Sequence, residues 1–169
     1  MTEEDVAAIE YAVIRALRNF DTVIGSETHA MIRLALRQGR MLSRTGKSKG
    51  RTEYLSRIAD SLIESRKKVI GSWEEVNAAV EQLQKTYKSF PVGHLESVTS
   101  ARMKYESFIG RVSGLSDVLE GILQESEDSE ESQRMIEKLS KSREDEVESR
   151  KASDVRPEDQ IGSADDVRA

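Results

Sequence analysis

The sequence predicts an all-α protein: an antiparallel helical bundle or hairpin with a long helix over about residues 94–124 and a disordered acidic C-terminal tail. Three observations support this prediction. Apolar residues recur at spacings of three and four along much of the chain, which is the period of one buried helix face. No segment alternates strictly between apolar and polar residues over more than a few positions, as a half-buried strand would. Apolar residues make up 37% of the chain, charged residues 34% and aromatic residues 5%, a balance that suits long amphipathic helices with a narrow core.

The N-terminal part of the chain predicts two helices. The first is expected to begin at Thr2, whose hydroxyl can cap free backbone amides, with Asp5 completing a capping box. Its apolar stripe reaches Val23, and Gly25 is expected to end it because glycine is common just past a helix C-terminus. A second helix is predicted over about residues 28–44.

Two more helices are predicted after a loop over residues 45–50. The third begins near Thr52 and is interrupted at Gly71, and the fourth begins with a second capping box at Ser72. The fourth helix has a strict three-four alternation that ends at Phe90. The segment 91–93, Pro-Val-Gly, predicts a turn, because proline lacks an amide hydrogen and glycine accepts left-handed geometry.

The fifth and longest helix follows this turn, over about residues 94–124. Its apolar side comprises Leu95, Val98, Tyr105, Phe108, Val112, Leu115, Leu119 and Ile122. Arg102 interrupts this side, and the neighbouring Ala101 is expected to cover the gap. Because the turn is short, the fourth and fifth helices are expected to form an antiparallel hairpin.

The chain changes character after residue 125. Residues 125–131 are acidic or small, and apolar residues become sparse from about residue 140. So few apolar side chains cannot offset the entropy lost on ordering. We therefore predict a helical bundle domain over residues 1–125 and an acidic, largely disordered tail over 126–169, with a short helix near 132–150.

No arrangement typical of a catalytic or cofactor site is present in the sequence. The chain has no cysteines, and the histidines, His29 and His94, lie far apart without a second histidine at helical spacing. Residues 45–48, Thr-Gly-Lys-Ser, match the end of a phosphate-binding loop, but Met41 occupies the position of a required glycine and a helix precedes it. We therefore expect no enzyme activity, no cofactor, no metal and no small-molecule substrate.

The sequence also bears on location. No window approaches the roughly 18 apolar residues of a membrane-spanning helix. The acidic N-terminus leads straight into an amphipathic pattern, without the basic start and apolar stretch of a secretory signal. We expect cytoplasmic residence and no membrane span, and export without a cleaved signal stays open.

A basic stripe is the first feature that suggests a function. It comprises Arg33, Arg37, Arg40 and Arg44, and the following loop adds Lys47, Lys49 and Arg51. At 100° per residue the four arginines lie within about 60° of arc, opposite Met31, Ala35 and Leu42. No acidic residue occurs between Glu27 and Glu53, so the seven positive charges have no counter-charge among them.

Three interpretations of the stripe are open. It could bind an acidic protein, or it could contact the phosphates of nucleic acid. The third interpretation is a surface without a partner, which is either solvated or neutralised by the chain's own acidic tail. Arginine suits bidentate contacts with carboxylates and phosphates. The absence of interleaved aromatic residues weighs against single-stranded nucleic acid, and the net charge of −5 weighs against nucleic acid in general.

Three glycines on the long helix are the second feature. Gly110, Gly114 and Gly121 share one face, opposite the apolar side, and each costs about 1 kcal/mol relative to alanine in a helix interior. They allow close packing against a partner backbone, or they mark a surface line without a role or a point where the helix bends.

Together these features predict a protein–protein interaction or scaffolding protein that self-associates as a homo-oligomer and uses the basic stripe for an acidic partner. The alternative is a nucleic-acid-associated helical protein that contacts phosphates through residues 33–51.

Overall fold

The computed structural model describes residues 1–42, 49–87, 90–125 and 129–153, and these form four helices. They are α1 (Glu3–Leu42), α2 (Lys49–Thr86), α3 (Val92–Gln124) and α4 (Ser129–Ser153). The predicted all-α bundle is confirmed, and so is the long helix, which is α3. The prediction that it is the longest is wrong, because α3 has 33 residues whereas α1 has 40 and α2 has 38. The capping box at the start of α1 is also confirmed: Asp5 N donates to Thr2 Oγ1 at 3.2 Å, and Thr2 N donates to Asp5 Oδ2 at 2.9 Å.

The predicted break at Gly25 is wrong, because α1 continues through it as one helix of 40 residues. The buried face passes from Phe20 and Ile24 to Met31 and Leu34 without a change of phase. Glu27 continues the three-four spacing between these apolar residues. Burial of this continuous seam outweighs the cost of about 1 kcal/mol that glycine brings to a helix interior.

The predicted break at Gly71 is also wrong, because α2 is one helix of 38 residues. Ser72, expected to cap a new helix, is instead buried in the middle of α2, next to the buried Trp73. The seam continues across Gly71 from Val69 to Val76, again at three-four spacing.

Contacts between named side chains give the direction of each helix. α1 and α2 are antiparallel, because Tyr87 Oη donates to Glu10 Oε1 at 3.0 Å near one end and Ser65 Oγ donates to Glu27 Oε2 at 2.5 Å further along. α1 and α3 are parallel, as shown by the pairs Glu10–His94, Asp21–Lys104 and Gln38–Leu115. The hairpin predicted between the helices now labelled α2 and α3 is therefore antiparallel, as expected.

α4 returns beside α2 and α3 and completes an up-down-up-down bundle. It runs parallel to α2, as shown by the pairs Asp60–Lys138, Arg66–Ser142 and Glu74–Ser149. Met135 and Leu139 of α4 are buried in the common core.

Residues 129–153 of the predicted tail are a packed helix of the bundle. The short helix predicted near 132–150 is present and is longer than expected. Its packing relies on buried serines and a buried glutamate as well as on two apolar side chains. A prediction based on apolar residues alone therefore made this helix too short. The rest of the predicted tail, residues 154–169, lies outside the described residues.

An aromatic group joins the first three helices at the centre of the bundle. The ring of Trp73 on α2 stacks on Tyr105 of α3 with a centroid distance of 5.1 Å, and it meets Phe20 of α1 in a tilted contact at 5.3 Å. All three residues are buried. Such pairs add about 0.5–1.5 kcal/mol beyond the area that they bury.

Candidate functional site: an arginine surface on the first helix

The structure places Arg33, Arg37 and Arg40 on one exposed side of α1, and we call these three residues the arginine surface. The buried side of this part of α1 is formed by Met31, Leu34 and Gln38, so the helix period turns the arginines away from the core. Gln38 is held there by a hydrogen bond of 3.2 Å from its Nε2 to the carbonyl oxygen of Leu115.

Two details of the predicted stripe differ from the structure or lie outside it. Ala35, expected on the buried side with Met31, is exposed, because Leu34 and Gln38 occupy the positions facing α2 and α3. Arg44 and Lys47 lie outside the described residues, as does most of the loop predicted over 45–50. Residues 49–50 were expected in that loop but begin α2. Lys49 and Arg51 belong to the first turn of α2, and the structure describes only their backbone.

A groove between α1 and α2 borders the arginine surface. Its volume is about 730 Å³, and Arg33 and Arg37 line one side while Asp60 and Glu64 of α2 line the other. Within the described part of the chain, neither Arg33 nor Arg37 forms an ion pair. The two carboxylates therefore moderate the positive potential of the groove, and the two guanidinium groups keep their hydrogen-bond donors available.

Two large apolar side chains border the charged surface on one side. Ile32 is 48% exposed and Leu36 is 61% exposed, one helical turn apart on α1 and directly next to Arg33 and Arg37 in sequence. Exposed aliphatic residues scattered singly are ordinary, but here they adjoin Arg33 and Arg37, which form no ion pair within the described ranges. A surface that combines apolar contacts with arginine donors resembles the central part of protein–protein interfaces in composition.

Sequence reasoning missed a buried polar cluster between α2, α3 and α4, centred on Arg66. Arg66 is only 2% exposed, and its Nη1 donates to Ser142 Oγ at 2.9 Å. Burial lowers the pKa of the Arg66 guanidinium, with a further lowering from Arg143, while Glu146 and Glu120 act in the opposite direction. Arginine stays protonated in proteins, so Arg66 is a fixed positive charge and not an acid–base catalyst.

Arg143 of α4 connects this cluster to α3. Its Nη2 forms ion pairs with Asp117 and, at 3.3 Å, with Glu120. The sequence does carry a signal for the cluster: Ser65 and Arg66 fall at seam spacing between Leu62 and Val69. That spacing places a polar pair where a continuous helix buries its core residues.

The three glycines of α3 all lie on its exposed face. A Cβ atom added at Gly110, Gly114 or Gly121 would meet nothing within 4 Å. Packing within this chain therefore does not require glycine at these positions. Close packing against a second molecule stays a prediction.

The histidines lie apart in the structure as well. His29 is exposed on α1, whereas His94 lies at the start of α3 with its Nε2 4.0 Å from Glu10 Oε1. Among the described residues, no three side chains of the metal-ligating types converge. Within the same ranges, no helix combines the length and the apolar character that a membrane span needs.

Comparisons with protein-family models, with curated proteins and with solved structures find no match. The geometry itself defines the class to which this chain belongs, an antiparallel four-helix bundle. Its candidate site is a surface, formed by arginines and aliphatic side chains beside a mixed-charge groove.

Proposed function

We propose that this protein is a non-enzymatic interaction protein that binds an acidic segment of a protein partner through the arginine surface and self-associates. The observation that supports it best is the pair Arg33 and Arg37, exposed in successive turns without ion pairs in the described part of the chain. Two such guanidinium groups offer bidentate hydrogen bonds to carboxylates. The proposal does not depend on Arg40, which has an interaction of its own within the protein.

The neighbouring aliphatic residues favour a protein partner over nucleic acid. Ile32 and Leu36 lie beside the two arginines, and an acidic segment that carries apolar side chains can cover both kinds of group. The charged backbone of a nucleic acid forms no comparable apolar contact with Ile32 and Leu36.

Nucleic acid is the second candidate function, and one sequence feature favours it. Seven basic residues follow each other between Glu27 and Glu53 without an acidic residue among them. Binding of that kind is dominated by release of counterions, so its affinity falls steeply and linearly on a logarithmic scale as salt rises.

The test is a double charge reversal, Arg33→Glu with Arg37→Glu, in the full chain. The probes are a synthetic peptide rich in glutamate and leucine, a peptide of equal charge with serine in place of leucine, and single- and double-stranded oligonucleotides. We expect the glutamate–leucine peptide to bind more tightly than the other probes and the double variant to lose that binding. The matched control, Arg15→Glu with Arg18→Glu, makes the same charge change at exposed positions of α1 and is expected to keep it.

The outcomes separate the candidates. Preferred binding of oligonucleotides with a steep salt dependence would replace the proposal with the nucleic-acid function. Equal loss of peptide binding in both double variants would show a response to net charge alone and would overturn the role of Arg33 and Arg37. Light scattering over a range of concentrations tests self-association separately, since a constant monomer mass contradicts it.

A further inference from the structure

The groove beside the arginine surface continues along the middle of α1. A second hollow, of about 560 Å³, lies between Asn19 of α1 and Glu75 of α2. It is continuous with the hollow next to Arg37, because four residues line both of them: Ser26, Glu27, Glu64 and Lys68. With a rise of about 1.5 Å per residue, the groove from Asn19 to Arg37 runs for about 27 Å along α1. An extended segment of about eight residues has that length.

The end of α4 lies close to the end of this groove that is far from the arginine surface. Ser149 Oγ of α4 donates to Glu74 Oε1 of α2, and Glu75, the next residue of α2, lines the groove. α4 ends at Ser153, one turn after Ser149. Residues 154–169 follow it in the sequence. They are therefore joined to the bundle at a point that only α2 separates from the groove.

Chain length decides which of these residues can reach the arginine surface. The hydrogen bonds that align α4 with α2 and α2 with α1 place Arg33 about 25 Å from Ser153 along the bundle axis. Crossing α2 adds about 10–15 Å sideways, so the direct path is about 30 Å. An extended chain spans at most about 3.3–3.6 Å per residue. Asp165, which is 12 residues after Ser153, can therefore reach Arg33, whereas Glu158 cannot.

The residues within reach have the chemistry that suits the arginine surface. Residues 165–167 are Asp-Asp-Val, two carboxylates followed by a branched apolar side chain. Arg33 and Arg37 form no ion pair within the described ranges, and exposed aliphatic side chains lie beside them. Carboxylates are the groups that guanidinium donors bind in bidentate pairs. Asp60 across the groove is paired with Lys138 of α4, which reduces its repulsion of an incoming carboxylate.

From these observations we propose that residues 165–167 bind the arginine surface of the same molecule and compete there with the acidic partner. A segment tethered within reach has an effective concentration in the millimolar range, so even a weak contact is formed in much of the population. Exposed ion pairs are individually weak and are screened by salt, so a partner with more carboxylates displaces the segment. This inference rests on the proposed function and names the regulation of the same surface.

The contact itself is tested on the full chain by nuclear magnetic resonance. Ser163→Cys introduces a single thiol into a chain without cysteine, and this thiol carries a nitroxide spin label. We expect the label to broaden the backbone amide signals of residues 32–37 on α1, with the reduced nitroxide as the reference. Signals of residues 117–120, which lie at the same end of the bundle on α3, are expected to keep their intensity. The broadening is expected to weaken as salt rises.

A pair of double variants connects the contact to partner binding. Asp165→Asn with Asp166→Asn is expected to abolish the broadening. It is also expected to tighten binding of the glutamate–leucine peptide by about 3–10-fold, because apparent affinity falls with the fraction of free surfaces. The matched control, Glu158→Gln with Asp159→Asn, makes the same charge change at positions that cannot reach Arg33. It is expected to keep the broadening and to change the peptide affinity by about twofold or less.

Two outcomes overturn the inference whatever the peptide does. One is the absence of broadening at residues 32–37. The other is broadening that also arises when an isotope-labelled natural chain is mixed with a spin-labelled chain of ordinary isotope content, since residues 165–167 would then bind another copy. Equal tightening of peptide binding in both double variants would reflect net charge alone and would overturn the competition.

The charge reversal Arg33→Glu with Arg37→Glu separates this inference from the proposed function. It is expected to remove both the broadening and the peptide binding. Loss of peptide binding in a chain that shows no broadening supports the proposed function and overturns the inference. Broadening that the reversal removes, in a chain that binds no peptide in any variant, supports the contact within the molecule and contradicts the proposed function.

Discussion

Arg66 of α2 donates a hydrogen bond from Nη1 to Ser142 Oγ of α4 at 2.9 Å, inside a bundle where the arginine is only 2% exposed. This contact fixes the register of the last helix against the second. It also makes Arg66 depend on α4, because a buried guanidinium has no water to replace a lost acceptor.

Ser142→Ala removes that acceptor with little change in volume. We expect the free energy of unfolding to fall by about 1–3 kcal/mol, the usual cost of leaving a buried donor without its partner. The measurement is urea unfolding followed by circular dichroism. Ser107→Ala, at an exposed position of α3, is the control and is expected to change the unfolding free energy by about 0.5 kcal/mol or less. Equal effects at both positions would show that the hydrogen bond does not contribute.

Phe20→Ala tests the aromatic group that joins α1, α2 and α3. Phe20 has no exposed surface and lies 5.3 Å from Trp73, so its removal leaves a cavity at the centre of the bundle. We expect a loss of about 3–5 kcal/mol in unfolding free energy. Trp73 is the only tryptophan, so its fluorescence reports this region during denaturation. Tyr11→Ala, on the same helix but 61% exposed, is the control and is expected to change stability little.

The fold class was predictable because the apolar seams are long and regular. The seam from Leu95 to Ile122 gave one helix with nearly correct ends, since no polar residue except Arg102 interrupts it. The false breaks at Gly25 and Gly71 arose because glycine is common just past a helix C-terminus and because Ser72 matches the start of a capping box. In the structure the seams continue through the partly buried Glu27 in α1 and the buried Ser72 in α2. Their burial depends on neighbouring helices, and local sequence does not contain that information.

The candidate site was predictable only in part. The arc shared by Arg33, Arg37 and Arg40 follows from helix geometry alone, so sequence sufficed for it. The carboxylates of Asp60 and Glu64 face the arginines because α1 and α2 are antiparallel in one particular register. That register is set by contacts far apart in sequence, and spacing along the chain does not reveal it.

Alanine substitution at Gly110, Gly114 and Gly121 tests whether these glycines pack against a partner backbone. A Cβ atom meets nothing at these positions, so each change is expected to raise the unfolding free energy by about 0.5–1 kcal/mol. Thermal unfolding measures this. Light scattering of the triple variant then tests for a partner backbone. Unchanged self-association would show that the glycines make no contact between molecules. A weaker dimer together with a more stable monomer would indicate close packing between molecules at these positions.

The contact between Tyr87 and Glu10 makes a prediction about alkaline pH. Tyr87 Oη donates to Glu10 Oε1 at 3.0 Å, and this hydrogen bond raises the pKa of the Tyr87 phenol. A group whose folded pKa is raised stabilises the fold below its unfolded pKa, here about 10, and loses that contribution as the pH rises through the folded pKa. We therefore expect Tyr87→Phe to be less stable than the natural chain at neutral pH, and the difference to shrink above about pH 10.

Urea midpoints of the two proteins, measured on both sides of that pH, give the difference directly. Taking the difference between the natural chain and the Tyr87→Phe variant cancels the contributions of lysines and of the other tyrosines, which titrate in the same pH range. In a Glu10→Gln background the carboxylate charge is absent, so the pH-dependent part of the Tyr87→Phe effect is expected to diminish strongly. A difference that persists unchanged above the folded pKa would assign the effect to packing of the Tyr87 ring and not to its hydrogen bond with Glu10.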